Sequence, residues 1–129
     1  MYARLFWPEF VEIDDMVFLQ ATMEDAEDRS RLQETLERYG GDRGKTEQSF
    51  NLVEVPSALF GARLGETTEA EDHWLAECLV GMWSARLQQL FPHRRFTVEV
   101  VEPEETGGEV GVWFYQQARV RGTQGSEDI

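Results

Sequence analysis

The chain has 129 residues, and its 41% hydrophobic content with eight Phe, four Trp and three Tyr excludes a disordered chain and predicts one packed core. Cys78 is the single cysteine, which excludes an intramolecular disulfide. The N-terminal residues do not resemble a signal peptide and no long apolar run is present, so the sequence predicts a cytoplasmic protein outside the membrane. The net charge of −13 disfavours nucleic acid and permits a protein partner with a basic surface.

The first twenty-two residues favour extended structure. β-branched and aromatic residues dominate 2–7 and 10–22, and Pro8 separates these two segments. Asp14 and Asp15 lie between two apolar runs, which is typical of a hairpin turn. The sequence therefore predicts strands on both sides of this turn.

A first helix is predicted after the hairpin. Thr22 is a candidate N-cap with Asp25 at the third helical position, and Gly40-Gly41 supplies a stop. Only a narrow apolar stripe follows the helical period, so we expect a surface helix with mixed charges on its outer face. The stripe contains Ala26, Leu32, Leu36 and Tyr39.

Residues 41–49 are polar and are interpreted as a loop. Their Gly44-Lys45-Thr46 run suggests a phosphate loop, but position 39 is tyrosine where that motif needs glycine, so nucleotide binding is not predicted. Residues 50–55 then favour a short strand that ends at Pro56.

The second helix has the clearest signal in the chain. Thr68 and Glu71 have the spacing of a capping box, and Pro92 follows the last apolar residue. Pairs of apolar residues recur at helical spacing between these ends, and we interpret Cys78 as an inert, buried member of that stripe. The pairs are Trp74/Leu75, Cys78/Leu79, Met82/Trp83 and Leu90/Phe91.

Two alternating strands follow, over 96–101 and 110–115. In one pairing register, the inward-facing residues of the two strands are all apolar. Trp113 and Tyr115 then share the opposite face with Glu99. A one-residue shift would bring Phe96 and Trp113 to the same side and remove this aromatic patch. We favour the first register.

These elements predict an α+β fold with two layers: a mostly antiparallel sheet of about five strands, and two helices on one face, in the order β-β-α-β-α-β-β. Residues 1–115 are expected to form a single domain, and residues 116–129 a polar, frayed tail.

No catalytic residue, metal site or cofactor is predicted. His73 and His93 lie at opposite ends of the second helix, roughly 30 Å apart, so they cannot share a metal. Glu69 and His73 could bind a divalent ion weakly, although ordinary acidic capping is the simpler interpretation. The run His93-Arg94-Arg95 follows the end of this helix, where positive charge is favourable because of the helix dipole. Anion binding by this run is an alternative interpretation.

Three functional hypotheses remain. The first is a protein interaction module of the inhibitor, immunity or adaptor type, which binds through its acidic surface or the Trp113/Tyr115 face. The second is a homodimer or larger homo-oligomer without chemistry of its own. The third is an enzyme or small-ligand binder that uses carboxylates with Trp7, Tyr2 or Arg4 in a cleft. The candidate binding residues are Trp113, Tyr115, Glu99, Asp14 and Asp15.

Overall fold

The computed structural model describes residues 6–55 and 68–117. In chain order, its helices and strands are β1 Phe10–Ile13, β2 Met16–Leu19, α1 Ala26–Arg38, α2 Arg43–Phe50, β3 Val53–Glu54, α3 Glu69–Leu90, β4 Phe96–Val101, α4 Pro103–Thr106 and β5 Gly111–Gln116. The α+β class is therefore confirmed. The five strands form two small antiparallel sheets, with orders β1-β2 and β3-β5-β4, where one sheet was predicted.

The first hairpin turns where the sequence predicts. Ile13 pairs with Met16 across Asp14 and Asp15, whose φ angles are 51° and 70°. Two-residue hairpin loops favour such positive values because the turn then matches the twist of the strands, and aspartate tolerates them better than most residues. The strand predicted over 2–7 lies mostly outside the described residues, and Trp7 is not in a strand.

Strand β2 is buried on both of its faces. Side chains alternate across a strand, so Val17 and Leu19 enter one core cluster while Met16 and Phe18 enter another. The first cluster packs against α3, and the second contains Met23 and Leu32 near α1. This double burial explains why β2 is a continuous apolar run.

The first helix begins later than predicted. Asp25, and not Thr22, is its N-cap, and it forms a reciprocal capping box with Asp28. Thr22 lies instead in a short 3-10 turn, Gln20–Thr22, where its hydroxyl donates to the carbonyl of Leu19 at 2.8 Å. The carboxylate of Asp25 accepts a backbone N–H as well as a hydroxyl does, so residue preferences alone could not separate the two caps.

Helix α2 occupies the segment that we predicted as a loop. Asp42 caps it by accepting the backbone N–H of Lys45 at 3.0 Å, and Gly40 and Gly41 adopt the positive φ angles that end α1. Its buried face is polar, with Thr46 and Glu47 both 1% exposed or less. A search for apolar periodicity cannot detect such a helix.

Helix α3 covers one face of the three-stranded sheet. Thr68 and Glu71 form the predicted capping box at its start, and Leu79 and Trp83 are fully buried against the sheet. Phe114 is the centre of this core, because the rings of Phe10 and Trp83 both meet it edge-on, at 5.3 and 5.9 Å between centroids. Strand β5 includes Gln116, the first residue of the segment predicted as a tail, and residues 118–129 lie outside the described part.

Candidate functional site

The β4–β5 register is the one that we favoured. Val98 pairs with Phe114 and faces α3, whereas Glu99 pairs with Trp113 and Thr97 with Tyr115 on the opposite side of the sheet. We call the surface formed by Thr97, Glu99, Trp113 and Tyr115 the aromatic face. The structure thus brings together three of the five predicted site residues.

Trp113 and Glu99 are in direct contact. The indole Nε1–H of Trp113 donates to Glu99 Oε1 at 3.0 Å across the two strands. The carboxylate of Glu99 is exposed, while Trp113 and Tyr115 are half-buried. A hydrogen bond from the ring edge fixes the orientation of the indole.

The two ends of the aromatic face are bordered by neighbouring elements. At one end, the first turn of α2 lies beside Tyr115, so that a Cβ on Gly44 would be 3.9 Å from Tyr115 Cδ2. At the other end, Val101 is only 1% exposed, and a Cβ on its strand partner Gly111 would meet Leu52 and Thr106. Trp113 and Glu99 lie between these borders.

Asp14 and Asp15 form the turn beside the last residue of β5. Gln116 Nε2 donates to the carbonyl of Asp15 at 2.7 Å, and Arg94 Nη1 donates to the same carbonyl at 2.8 Å. The carboxylate of Asp15 is 3.6 Å from Arg94 and 3.9 Å from Arg43, so it is partly neutralised within the chain. The turn binds Gln116, which follows Tyr115, whereas the hydrogen bond of Trp113 is to Glu99 and not to the turn.

Arg94 is the centre of this ionic cluster. Its guanidinium also binds Glu12 at 2.5 Å and lies 5.6 Å from the ring of Phe91. Only 18% of its side chain is exposed, so these contacts hold the loop after α3 against the first hairpin. Arg94 of the His93-Arg94-Arg95 run is therefore already paired with carboxylates of this chain.

A buried polar pair, Glu47 on α2 and Asn51 at its C-cap, links the two sheets. Glu47 accepts the backbone N–H of Val17 in β2 and the backbone N–H of Gln116 in β5, each at 2.8 Å. Asn51, one turn later, accepts the N–H of Leu19 at 3.0 Å and donates to the carbonyls of Val17 at 3.0 Å and Phe114 at 3.5 Å.

The β2 groups lie on the free edge of the first sheet, and the groups of Phe114 and Gln116 lie in the part of β5 that extends beyond its pairing with β3. In the β1–β2 hairpin, Val17 and Leu19 turn their N–H and C=O groups away from β1. The side chains of Glu47 and Asn51 therefore take the place of a strand between β2 and β5. The aromatic face and the first hairpin are held in one unit by this pair.

Burial raises the pKa of Glu47. The side chain is 1% exposed, which penalises its charged form, while hydrogen bonds from Gln116 and Val17 act in the opposite direction. A strongly perturbed carboxyl group is often a sign of a functional site. Here every donor that approaches it is structural, so we assign Glu47 to the architecture.

His73 joins the start of α3 to the end of β4. Its Nε2 is 2.8 Å from Glu102 Oε1, and its Nδ1 is 3.0 Å from the carbonyl of Glu69. The hydrogen bond with Glu102 raises the pKa of the imidazole, with a smaller effect of the Glu69 carbonyl. The carboxylate partner of His73 is thus Glu102, and not Glu69 as the helical spacing suggested.

Two clefts border the described elements. One, of about 500 Å³, is lined by Trp7, Leu19 and the two carboxylates Glu9 and Glu24. Arg86 stacks on Trp7, with its guanidinium 5.3 Å from the ring centroid, and also binds Glu9 at 3.2 Å. The other, of about 440 Å³, lies between α3 and β4 and includes Arg95.

Two classes of site were searched for in residues 6–55 and 68–117. Within these ranges, no three His, Cys, Asp or Glu residues are grouped so as to hold a metal ion. No helix in the same residues has both the length and the apolar run needed to cross a bilayer.

Comparison with protein-family models found no match, and comparisons with curated proteins and with solved structures found none either. The functional argument therefore depends on the geometry alone.

Sequence reasoning missed two sets of residues. Glu47 and Asn51 gave no signal, because isolated polar residues in a polar segment resemble a loop. Trp74 was assigned to the buried stripe of the second helix, whereas it is 66% exposed. The paired pattern could have revealed this, since two adjacent apolar residues point about 100° apart and cannot both face the core centre.

Proposed function

We propose that this protein is an interaction module, which binds a partner protein through the aromatic face. The observation that supports the proposal is the hydrogen bond between Trp113 and Glu99. It places a carboxylate at the edge of an oriented indole ring, on the sheet surface opposite α3.

The chemistry of this surface favours a basic partner. An arginine or lysine of the partner would lie over Trp113 as a cation–π contact, worth about 0.5–2 kcal/mol, and would pair with Glu99 at the same time. Tyr115 would extend the contact along the strand. The net charge of −13 would attract a basic surface and accelerate its association at low ionic strength.

Capture from a lysate of the source organism tests this proposal when matched variants are compared. The proteins retained by the wild type are compared with those retained by Glu99→Arg and by Glu34→Arg. Both changes reverse one exposed charge, but Glu34 lies on α1 and is not part of the aromatic face. We expect at least one basic protein to be retained by the wild type and by Glu34→Arg, and lost with Glu99→Arg.

Retention of that protein should also weaken as salt rises, because screening shortens the reach of the acidic surface to about 8 Å at physiological ionic strength. Identical retention by all three forms would refute binding at the aromatic face. Loss with Glu34→Arg as well as Glu99→Arg would assign the binding to net charge alone.

A second candidate function is binding of a small ligand in the cleft beside Trp7. The supporting observation is the combination of an aromatic ring and two carboxylates, Glu9 and Glu24, around a cleft of about 500 Å³. A thermal-shift screen of cationic and aromatic metabolites tests it. A compound that stabilises the wild type and not Trp7→Ala would favour this function, and the absence of any stabilising compound would count against it.

A further inference from the structure

Helix α3 has an uncharged stripe on its solvent side. At about 100° per residue, Trp74, Cys78, Met82 and Ala85 lie within about 80° of one another, on the side away from buried Leu79 and Trp83. Trp74 is 66% exposed and Met82 is 39% exposed. Surface helices of globular proteins normally present polar and charged residues there. We call this surface the outer stripe.

Gly81 lies near the midpoint of α3, at one edge of the outer stripe, and has no reason to be glycine within the described chain. A Cβ built at this position would meet nothing within 4 Å. Glycine in a helix interior is less stable than alanine, because it loses more conformational freedom on folding. A glycine at such a place is explained if the backbone of another helix passes close to it.

The distribution of charge along α3 indicates which other helix would pass close to Gly81. All four acidic residues lie in its first half, at Glu69, Glu71, Asp72 and Glu77. From Cys78 to Leu90 there is no acidic residue, and the exposed residues His93 and Arg95 follow the helix end. Two copies in parallel would set acid against acid, whereas two antiparallel copies set the acidic end of one beside the acid-free end of the other.

We propose that the outer stripe is the interface of a two-fold symmetric homodimer, in which two α3 helices pack antiparallel and cross at Gly81. With Gly81 and Gln89 added, the stripe is symmetric about a point between Gly81 and Met82. That axis sets Cys78 of one copy opposite Ala85 of the other, and Trp74 opposite Gln89. The helix is about 33 Å long, which allows contact over several turns.

This interface goes beyond the proposed function and uses a different surface. The outer stripe is on the solvent side of α3, and the aromatic face is on the far side of the sheet that α3 covers. A dimer joined through α3 would present two aromatic faces, one on each copy.

Sedimentation velocity over a concentration series is the test of the dimer. It is run at about 0.15 M salt, where screening limits the repulsion between two acidic copies. We expect the wild type to dimerise reversibly. Trp74→Glu replaces the most exposed aromatic ring of the stripe with a charge, and Gly81→Leu places a side chain where the two helices cross. Each should weaken the dimer by about 30-fold or more, the size of effect that hot-spot residues have in other interfaces.

Two variants serve as controls for the sedimentation experiment. Tyr39→Glu adds the same charge at a residue that is 37% exposed outside the stripe, and should leave the dimer unchanged. Glu99→Arg alters the aromatic face and should leave it unchanged too, so that loss of partner binding and loss of the dimer can be separated. A wild type that stays monomeric, or a dimer that both stripe variants leave intact, would overturn the proposal.

Oxidative cross-linking tests the antiparallel arrangement. Cys78 is the only cysteine, so Ala85→Cys introduces its expected neighbour from the other copy. With copper phenanthroline, we expect Ala85→Cys to give a covalent dimer that a reductant separates, and the wild type to give little. An efficient Cys78–Cys78 cross-link in the wild type would show a parallel arrangement and contradict the proposed axis.

Discussion

At the scale of single residues, Glu47 is the position where hydrogen bonds most restrict which side chain fits. Its two oxygens accept three N–H groups, from Val17 and from the backbone and side chain of Gln116, and all three bonds are 2.8 Å long. A carboxylate suits this position because it only accepts hydrogen bonds. Part of the link between the two sheets therefore depends on a carboxylate that a side chain of similar shape cannot replace.

Glu47→Gln is expected to destabilise the protein by about 1–3 kcal/mol. The NH2 group of the glutamine side chain would face one of the N–H donors that Glu47 accepts. That donor would then be buried without an acceptor. Urea denaturation of the variant measures the loss, and Glu34→Gln on the exposed side of α1 is the matched control. Equal stability of both variants would show that the hydrogen bonds of Glu47 contribute nothing to the free energy of unfolding.

The raised pKa of Glu47 predicts a pH dependence with a definite sign. Since the folded protein binds this proton more tightly than the unfolded chain, Glu47 contributes its full stability below its ordinary pKa of 4.5. That contribution is lost as the pH rises through the higher folded pKa. The advantage of the wild type over Glu47→Gln should therefore shrink as pH rises, and an advantage that grows would contradict this account.

His73 gives a second prediction at this scale, on the ion pair with Glu102. The partner raises the pKa of His73, so the pair stabilises the fold below the ordinary pKa of 6.5 and stops doing so as the pH rises through the folded value. In Glu102→Gln, the pKa of His73 measured by NMR should fall. Glu104→Gln removes a nearby exposed charge and should leave that pKa in place; an equal effect of both changes would argue against a specific pair.

At the scale of elements, helices α3 and α2 show which kind of helix a sequence pattern can reveal and which it cannot. Helix α3 was predicted to within a residue, because Thr68, Glu71 and Pro92 mark its ends and large apolar residues follow its period. Helix α2 was missed, because its buried residues are polar, and because Glu47 and the C-cap Asn51 bind strand groups that lie far away in the sequence. Hydrogen bonds to distant backbone groups leave no local pattern.

Gly81 offers an element-scale prediction that is independent of any partner. In monomeric protein at high dilution, Gly81→Ala should raise the free energy of unfolding by about 0.5–1 kcal/mol, since a Cβ there meets no other atom within 4 Å. Thermal denaturation measures this gain, and Ala85→Gly should show a loss of similar size. A destabilised Gly81→Ala monomer would mean that the position is constrained from within the chain.

At the scale of the whole molecule, the α+β class and five strands were predictable because alternating and helical periods occupy separate segments. Their division into two sheets was not, since nothing in the strands themselves indicates that α2 separates β2 from β5. The register that places Trp113, Tyr115 and Glu99 on one face was predictable, and their role in binding stays a prediction. The contacts of Asp14 and Asp15 with Arg94, Arg43 and Gln116 required the tertiary structure.

The central claim is that the aromatic face recognises a basic side chain, and NMR of the tryptophan indole N–H groups tests it most directly. A short arginine-rich peptide is titrated into the protein, with a glutamate-rich peptide of equal length as the control. We predict that the arginine peptide shifts and broadens the Trp113 signal before that of Trp74, that the glutamate peptide does not, and that Glu99→Gln reduces the effect. A Trp113 signal that stays in place while the arginine peptide binds elsewhere would contradict the account.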